Sequence, residues 1–291
     1  MKTKTILITG ATDGIGMVAA KELAKQGHKV IVHGRNENKA KKVVDEIKAS
    51  TGNNEVDYIL ADLFSFESIK QMSINFKQRY DHLDVLINNA GAVLDNERSI
   101  TKDGIEKTMA LNVLAPLLLT QLLLDILKKS KDARVINMSS ASHRASGKPN
   151  MADLNLEENY SAQKRYGLSK LYVIWNTRHM SRLLKDQGVN NVTVNVSHPG
   201  AVATNFGQDS DKGIITNLIY KIALPIMASP EKGASTNVFL ATSPTVTGIT
   251  GKYFGNSKEI KPYDRFYSVE NEKTVWDYCM NVINPYLLYK Y

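Results

Sequence analysis

The sequence predicts an α/β fold in which helices cover both faces of a doubly wound parallel sheet. Two observations support this prediction. Short runs rich in β-branched residues alternate along the chain with longer segments whose apolar residues recur at helical spacing. The short runs are also almost continuously apolar, as expected of strands buried on both faces. A β-α-β-α order gives a parallel sheet with helices on both sides.

The predicted elements follow one another at regular intervals. The strands are TILITG (5–10), KVIVHG (29–34), EVDYILAD (55–62), LDVLINNAG (83–91), ARVINMSS (133–140) and VTVNVSHPG (192–200). The helices between them are predicted at 15–26, 37–49, 67–79, 104–129 and 161–187. No linker or break in composition interrupts the 291 residues, so we expect one domain over residues 1–291. Ligands bind at the carboxyl ends of the strands in such sheets, so the functional residues are sought there.

Composition excludes several function classes. The net charge of +8 would suit nucleic acid, an anionic membrane or a phosphate-rich ligand, but the lysines are scattered without interleaved aromatic residues. A solvated face is therefore the favoured interpretation, and no nucleic-acid partner is expected. The longest apolar stretch, 113–127, is interrupted by Pro116, Gln121 and Asp125, so no membrane span is expected.

The only cysteine and the N-terminus bear on the compartment. Cys279 alone excludes an internal disulfide and a cysteine-based metal cluster, and no metal site is predicted. A single cysteine also fits a reducing compartment. The first strand begins too early to leave room for a signal peptide. We therefore expect a cytoplasmic protein.

The first strand ends in the glycine-rich run TGATDGIG. Gly10, Gly14 and Gly16 let the backbone turn tightly and approach a pyrophosphate, whose charge then meets the N–H groups that open the next helix. The spacing G-x-x-x-G-x-G departs from the dinucleotide fingerprint G-x-G-x-x-G. A plain tight turn would also use glycines, but the position between the first strand and the first helix favours a dinucleotide.

The next two strands end in residues that suit an adenosine 2′-phosphate. An arginine pairs with such a phosphate, whereas an NAD site has a carboxylate at the end of the second strand. Here Arg35 follows that strand and no acid occurs before Glu37, so NADP is predicted; the alternative is a solvated arginine. Asp62 and Leu63 are placed to flank an adenine, although Asp62 could equally cap a helix.

A tyrosine and a lysine stand four residues apart in RYGLSK. On a helix, Tyr166 and Lys170 share one face. A nearby ammonium would lower the tyrosine pKa from its ordinary value of about 10. Such a pair passes a proton to or from a substrate oxygen. Surface packing is the alternative for an isolated Y-x-x-x-K.

Two further elements favour the catalytic interpretation. Ser139 and Ser140 end a strand where their hydroxyls could hold a substrate carbonyl, or they are simple turn residues. Asn112 lies in an otherwise apolar helix. Pro116, four residues later, has no N–H to donate to the main-chain carbonyl of Asn112. The freed carbonyl would bind a water that connects toward Lys170; the alternative is a kinked helix with an incidental asparagine.

Together these motifs resemble the short-chain dehydrogenase/reductase family, which has a Rossmann-type fold. The motifs are TGATDGIG, NNAG (88–91), Asn112, the serine pair, YGLSK (166–170) and HPGAVAT (198–204). The resemblance implies a catalytic tetrad of Asn112, Ser140, Tyr166 and Lys170. Tyr166 would be the acid/base, Ser140 would polarise the substrate oxygen, and Lys170 would lower the tyrosine pKa and hold the nicotinamide ribose. The implied cofactor residues are Gly10, Asp13, Gly14, Ile15, Gly16, Arg35, Asp62, Leu63, Asn89, Ala90, Gly91, Lys170, Pro199, Gly200, Val202 and Thr204.

Within the family, the sequence is similar to the retinol dehydrogenase group and its bacterial relatives. TKDGIEKTMALNVLAPLLLTQLLLDILKKS, SPEKGASTNVFLATSP and GKYFGNSKEIKP carry this similarity. It implies NADP and an apolar aldehyde, ketone or alcohol as substrate. Pro116 is a departure, since many relatives have glycine or histidine there, and the N-terminal anchor of several animal members is not expected in this protein. A non-catalytic NADP(H)-binding redox regulator is the alternative function, but such proteins commonly lose the tyrosine or the lysine. A homodimer through the helices of Asn112 and Tyr166 is possible by analogy.

A substrate lid is predicted at about 205–228. The segment starts polar and becomes apolar and helical. Its apolar residues could line a pocket, could pack on the body, or could associate with a membrane surface; they are Ile214, Leu218, Ile219 and Ile222. The segment from His143 to Gln163 is expected to form the other rim.

Overall fold

The computed structural model describes residues 3–94, 97–158, 160–200 and 229–287. Val202, Thr204 and the predicted lid at 205–228 with its four apolar residues lie outside the described residues. Among the described helices, none has the length and apolar character that a transmembrane span requires.

The described part of the chain forms one eight-stranded sheet. The strands are β1 (Thr5–Ile8), β2 (Lys29–Gly34), β3 (Val56–Leu60), β4 (Val85–Asn88), β5 (Ala133–Met138), β6 (Val192–His198), β7 (Tyr253–Gly255) and β8 (Lys258–Glu259). Their order is β3-β2-β1-β4-β5-β6-β7-β8. All neighbours are parallel except β7 and β8, which pair antiparallel. The doubly wound α/β prediction and its six strands are confirmed.

Helices connect the strands and cover both faces. They are α1 (Gly14–Lys25), α2 (Glu37–Thr51), α3 (Phe66–Arg79), α4 (Lys107–Met109), α5 (Ala115–Leu122), α6 (Leu124–Leu127), α7 (Ala162–Asp186), α8 (Pro230–Thr242) and α9 (Val269–Leu287). Strands β1 and β4 at the centre of the sheet are buried along their whole length, so their successive residues belong to opposite layers of the core. In β1, Leu7 packs with residues of α3, α5, α7 and α9, whereas Ile6 and Ile8 pack with residues of α1, α2 and α8.

The helix predicted at 104–129 is broken into several pieces, and this part of the prediction is wrong. A wide π turn, Ala110–Leu114, separates α4 from α5, and the N–H of Ala115 donates to the carbonyl of Ala110, five residues back. Pro116 follows at once and has no N–H of its own. Because a proline cannot continue the ordinary ladder, the chain changes its hydrogen-bond register here. Asn112 therefore lies inside the wide turn.

Helix α9 lies across the helices from which a homodimer contact was expected. It packs on α7, α5 and α3. The buried carboxylate of Glu272 accepts from Arg182 and lies 2.8 Å from Nδ1 of His179. Asn176 Nδ2 donates to Cys279 Sγ at 3.4 Å. Residues of the same chain thus pack against α5 and α7, and the homodimer stays a prediction.

Candidate active site

The glycine-rich turn after β1 leaves no space for side chains. Gly10 and Gly14 have φ values of +61° and +51°, a region that favours glycine. A Cβ on Gly16 would lie 2.5 Å from Asn89 Nδ2 and nearer still to the carbonyl oxygen of Gly10. A Cβ on Gly10 would lie 3.0 Å from the Cα of Ala90. The predicted glycines therefore form a bare backbone cradle at the N-terminus of α1.

Asn89 and Ala90 hold this cradle against the end of β4. Asn89 Nδ2 donates to the carbonyls of Thr9 (3.0 Å) and Gly10 (3.2 Å). The N–H of Ala90 donates to Thr9 Oγ1 at 3.0 Å. The carboxyl ends of β1 and β4 are thereby fixed together.

His33 is a structural member of this site that the sequence reading missed. The N–H of Gly10 donates to Nδ1 of His33 at 3.2 Å, and Nε2 lies 3.2 Å from the carbonyl oxygen of Ala61. Burial lowers the pKa of His33 to about 4. The ring is therefore neutral near pH 7, with Nδ1 accepting and Nε2–H donating. His33 joins the ends of β1, β2 and β3 beneath the cradle. The sequence did carry a signal for it, a histidine at the end of a buried strand, but we used that position only as evidence that no carboxylate is present.

The mouth of the cradle carries both signs of charge. Asp13 accepts from the N–H of Gly14 at 2.7 Å and pairs with Lys39 Nζ at 2.8 Å. Ile15 is partly buried in the first turn of α1. Arg35 is exposed, with its guanidinium carbon 6.0 Å from the ring centroid of Phe64. An anionic ligand at this mouth would meet Arg35 and Lys39, while Lys39 offsets the charge of Asp13.

Asp62 and Leu63 follow β3 at the same edge. Asp62 is exposed, and its Oδ1 accepts from the N–H of Phe64 at 3.0 Å. The alternative that Asp62 caps a helix is wrong, because Ser65 is the N-cap of α3 and accepts from the N–H of Ser68. The side chain of Leu63 is buried in the core.

The two serines at the end of β5 have different roles. Ser139 is buried, and its hydroxyl donates to the carbonyl of Lys170 at 2.8 Å. The Ser140 hydroxyl is partly exposed, donates to Ser142 Oγ at 3.1 Å, and forms a hydrogen bond that opposes the rise in the Tyr166 pKa. Ser139 thus fixes the helix to the strand, whereas Ser140 faces the tyrosine. This arrangement supports the choice of Ser140 as the functional serine.

His143 supports the Ser140 backbone from behind. Its Nδ1 lies 2.6 Å from the Ser140 carbonyl oxygen, and its Nε2 accepts from the N–H of Tyr263 at 3.0 Å. The second contact makes Nε2 the acceptor, so Nδ1 carries the proton. This fully buried residue was also missed, because a histidine in a long connection gives no distinct sequence signal.

Lys170 and Tyr166 lie together in α7, but their pKa values differ from the expectation. The Lys170 Nζ donates to the carbonyl of Met138 at 3.0 Å and lies 5.5 Å from the centre of the Tyr166 ring. Burial raises the pKa of Tyr166 to about 12 and lowers that of Lys170 to about 7. The predicted lowering of the tyrosine pKa by the ammonium is therefore wrong for this state, because burial disfavours both charged forms.

Asn112 connects the segment that follows β4 with the helix of Lys170. Its Oδ1 accepts from the N–H of Ala92, and its Nδ2 donates to the Ala92 carbonyl (both 3.0 Å) and to Ser169 Oγ (3.1 Å). A Cβ on Gly91 would lie 2.9 Å from Asn112 Oδ1 and 3.1 Å from Lys170 Nζ. Gly91, Asn112 and Lys170 therefore share one tight space, and an incidental role for Asn112 is disfavoured. The binding of water by its main-chain oxygen stays a prediction.

The end of β6 completes the described site. His198 Nδ1 accepts from the N–H of Gly200 at 3.1 Å, and Gly200 has a φ of +77°. Pro199 and Gly200 are partly buried at the same sheet edge. The arrangement combines a bare backbone cradle at a helix N-terminus, a tyrosine and a serine hydroxyl that faces it, groups that could act on a substrate oxygen.

Comparison with known proteins gives a consistent result. The family model described as short chain dehydrogenase matches residues 4–214. Human polyprenol dehydrogenase is 40% identical over 280 residues, which cover 94% of this chain and 83% of that protein. Mouse retinol dehydrogenase 14 is 35% identical over 288 residues, which cover 95% and 85%.

A solved structure agrees with the fold. A short chain dehydrogenase from Escherichia coli CFT073, complexed with NADPH, is 26% identical and superposes with a TM-score of 0.66. The match covers 89% of this chain and 98% of the other. The likeness thus extends over nearly all of both chains.

Proposed function

Because the chain belongs to the short-chain dehydrogenase family, in its retinol dehydrogenase-like branch, we propose that it is an NADP-dependent oxidoreductase. It transfers a hydride between the nicotinamide and an apolar aldehyde or ketone, or the corresponding alcohol. The observation that carries this proposal is the meeting of Asn112, Ser140, Tyr166 and Lys170 beside the bare glycine cradle. The oxidoreductase class follows from the family; the cofactor preference, the substrate and the residue roles are proposed.

The residues of the cradle fit a nicotinamide dinucleotide. The close approach of backbone at Gly10 and Gly16, together with the positive φ of Gly14, suits a pyrophosphate at the N-terminus of α1. Asn89, Ala90 and Gly91 would lie along the adenosine side, and Pro199 and Gly200 beside the carboxamide. When bound, the cofactor supplies the carbon that gives or takes the hydride.

Tyr166 is proposed as the proton donor and acceptor. With a pKa of about 12 it is protonated near neutral pH, so the described state favours donation of a proton to a substrate oxygen. Ser140 would hold that oxygen through its hydroxyl. Lys170, with a pKa of about 7, exchanges protons readily near neutrality and would return one toward Tyr166. Asn112 fixes the backbone of Ala92 and the hydroxyl of Ser169 beside that lysine.

NADP is favoured over NAD by charge at the mouth of the cradle. Arg35 is exposed at the end of β2, and no carboxylate stands there to hold a ribose 2′-hydroxyl. Arginine suits a phosphate because its planar group donates two parallel hydrogen bonds. The E. coli relative binds NADPH, which supports the same preference.

An apolar substrate is suggested by the relatives. Their names specify polyprenol and retinol, which are both apolar alcohols. The predicted lid, whose second half is apolar in sequence, would suit such a molecule. A cytoplasmic location stays a prediction.

The proposal is tested by titrating the purified protein with NADPH and NADH, followed by turnover. Binding is read by fluorescence, and NADPH oxidation is followed with apolar aldehydes and ketones of increasing length. We expect tighter binding of NADPH and turnover that rises with the apolar size of the substrate. Tight NADPH binding without turnover on any of them would contradict an apolar aldehyde or ketone as substrate and favour either a substrate of another class or the non-catalytic regulator.

A further inference from the structure

A buried ion pair joins the two helical segments that carry the tetrad. Arg165 Nη1 lies 3.3 Å from Glu106 Oε2, and the side chains are 2% and 1% exposed. Arg165 directly precedes Tyr166, and Glu106 directly precedes α4, which leads into the wide turn of Asn112. Neither charge has a part in the proposed chemistry.

Glu106 fixes where the segment toward Asn112 begins. Its Oε2 accepts from the N–H of Met109 at 2.8 Å, which caps α4. Its own N–H donates to Asn155 Oδ1 at 2.9 Å. The carboxylate therefore binds the start of α4 and the guanidinium of Arg165 at once.

Arg165 fixes the connection between Ser140 and Tyr166 to the start of α7. Its Nη1 donates to the carbonyl of Asn155 at 3.1 Å, and its Nη2 donates to the carbonyl of Leu156. Leu156 has a φ of +50°, which is unfavourable for a residue with a large side chain. The guanidinium carbon also lies 4.6 Å from the centre of the Tyr160 ring. An arginine fork thus holds a strained backbone against the catalytic helix.

Stability is a weak reason for such a pair. Removing two charges from water costs about as much as their attraction returns, and apolar replacements often do as well. Arg165 Nε and Glu106 Oε1 are buried with no hydrogen-bond partner in the described part of the chain, so the pair is not fully satisfied. Tyr166 is the fifth residue of α7, so its position depends on how the first turn of this helix is held.

We propose that Arg165 and Glu106 are positioning residues that set the place of Tyr166 relative to Asn112. The pair sets the distance between the starts of α7 and α4, and it anchors the segment of Asn155 and Leu156 beside them. This inference rests on the proposed function for its effect on turnover, but the coupling of the two helix starts can be measured without any substrate.

The test compares one substitution in each member of the pair with a matched control. Glu106→Gln removes the negative charge of the pair, and Arg165→Lys keeps the positive charge but loses the two-pronged guanidinium. Glu272→Gln is the control, because Glu272 is equally buried and pairs with the far end of α7. We measure kcat, the Kd for NADPH, and hydrogen exchange of the segments 106–114 and 161–170.

We expect both pair variants to lower kcat by roughly 10- to 100-fold, since small displacements of reacting groups reduce rates by that much. The Kd for NADPH should not change, and exchange should become faster in both segments. Glu272→Gln should destabilise the protein without either effect.

Unchanged kcat in folded variants would overturn the inference, even if exchange became faster. If Glu106→Gln does not fold, Arg165→Lys decides by the same criteria. Absence of turnover in the parent protein would contradict the proposed function instead. In that case, slower or unchanged hydrogen exchange of both segments in the pair variants would still overturn the coupling of the two helix starts.

Discussion

Burial has opposite consequences for the two ionisable side chains at the centre of the site. It raises the pKa of Tyr166 to about 12 and lowers that of Lys170 to about 7. Each group is thereby held in its neutral form more strongly than in water. Spacing alone predicted an ammonium that stabilises a phenolate. It could not predict that the lysine would itself be buried and donate to Met138.

Arg35 is the residue on which the NADP preference depends. Arg35→Ala should weaken NADPH binding by roughly 10- to 100-fold, because a hydrogen bond to a charged group contributes about 1.5 to 3 kcal/mol. NADH binding should hardly change. Fluorescence titration of both dinucleotides measures the difference.

Lys42→Ala is the matched control for Arg35→Ala. Lys42 lies on α2, and its side chain is 77% exposed, so both dinucleotides should bind this variant as they bind the parent. An equal loss of NADPH and NADH affinity in Arg35→Ala would refute the role in 2′-phosphate binding.

The catalytic serine shows how far single residues can be identified from sequence. The strand pattern brought Ser139 and Ser140 to the correct sheet edge, and only the resemblance chose between them. The structure distinguishes the two serines physically, because the Ser139 hydroxyl already donates a hydrogen bond to the carbonyl of Lys170. His33 and Glu106 were not identified, because their roles depend on partners distant in sequence.

The turn between β1 and α1 is the element on which cofactor binding depends. Gly16→Ala would place a Cβ against the carbonyl of Gly10 and the amide of Asn89. Either the turn or the helix must move, at a cost of about 1 to 3 kcal/mol. We therefore expect lower thermal stability together with much weaker NADPH binding in titrations.

Gly188→Ala provides the comparison for Gly16→Ala. Its Cβ would meet nothing within 4 Å, but its φ of +72° should destabilise the protein by about 1 to 2 kcal/mol. NADPH should bind this variant normally. If both variants lost the same stability and bound NADPH normally, the role of the glycine cradle in cofactor binding would be contradicted.

Elements with strong periodicity were predicted well, and short or interrupted ones were not. Strands β1, β2 and β4 were recognised because each is a largely apolar run, and β6 because Val192, Val194 and Val196 alternate with polar residues. Strands β7 and β8, of three and two residues, carry too little pattern to be seen. Pro116 indicated that the helix is interrupted near Ala110–Leu114. The sequence could not predict that the hydrogen-bond register changes there by one residue, because that change depends on the backbone geometry.

At the scale of the whole molecule, α9 packs against α7, α5 and α3 through contacts across 90 or more residues, such as Arg182 with Glu272. Local sequence patterns could not predict these contacts, and the homodimer stays a prediction. We predict that exposing the surfaces that α9 contacts will cause association.

Ile283→Asp tests this role of α9. Ile283 is completely buried, so a carboxylate there should lower the free energy of unfolding by about 3 kcal/mol or more and loosen α9. Light scattering at increasing concentration should show more association for this variant than for the parent. Asn281→Asp, on the exposed side of the same helix, should behave like the parent. Identical behaviour of the two variants would show that α9 does not protect these surfaces.

The central claim is that Tyr166 transfers the proton in an NADP(H)-dependent reaction. The most direct measurement compares the parent protein and Tyr166→Phe in NADPH oxidation with an apolar aldehyde, alongside the Kd for NADPH. The account predicts that kcat falls by roughly 100-fold or more, as the loss of general acid catalysis implies, while NADPH binds almost as before. Turnover by Tyr166→Phe at the parent rate would contradict it.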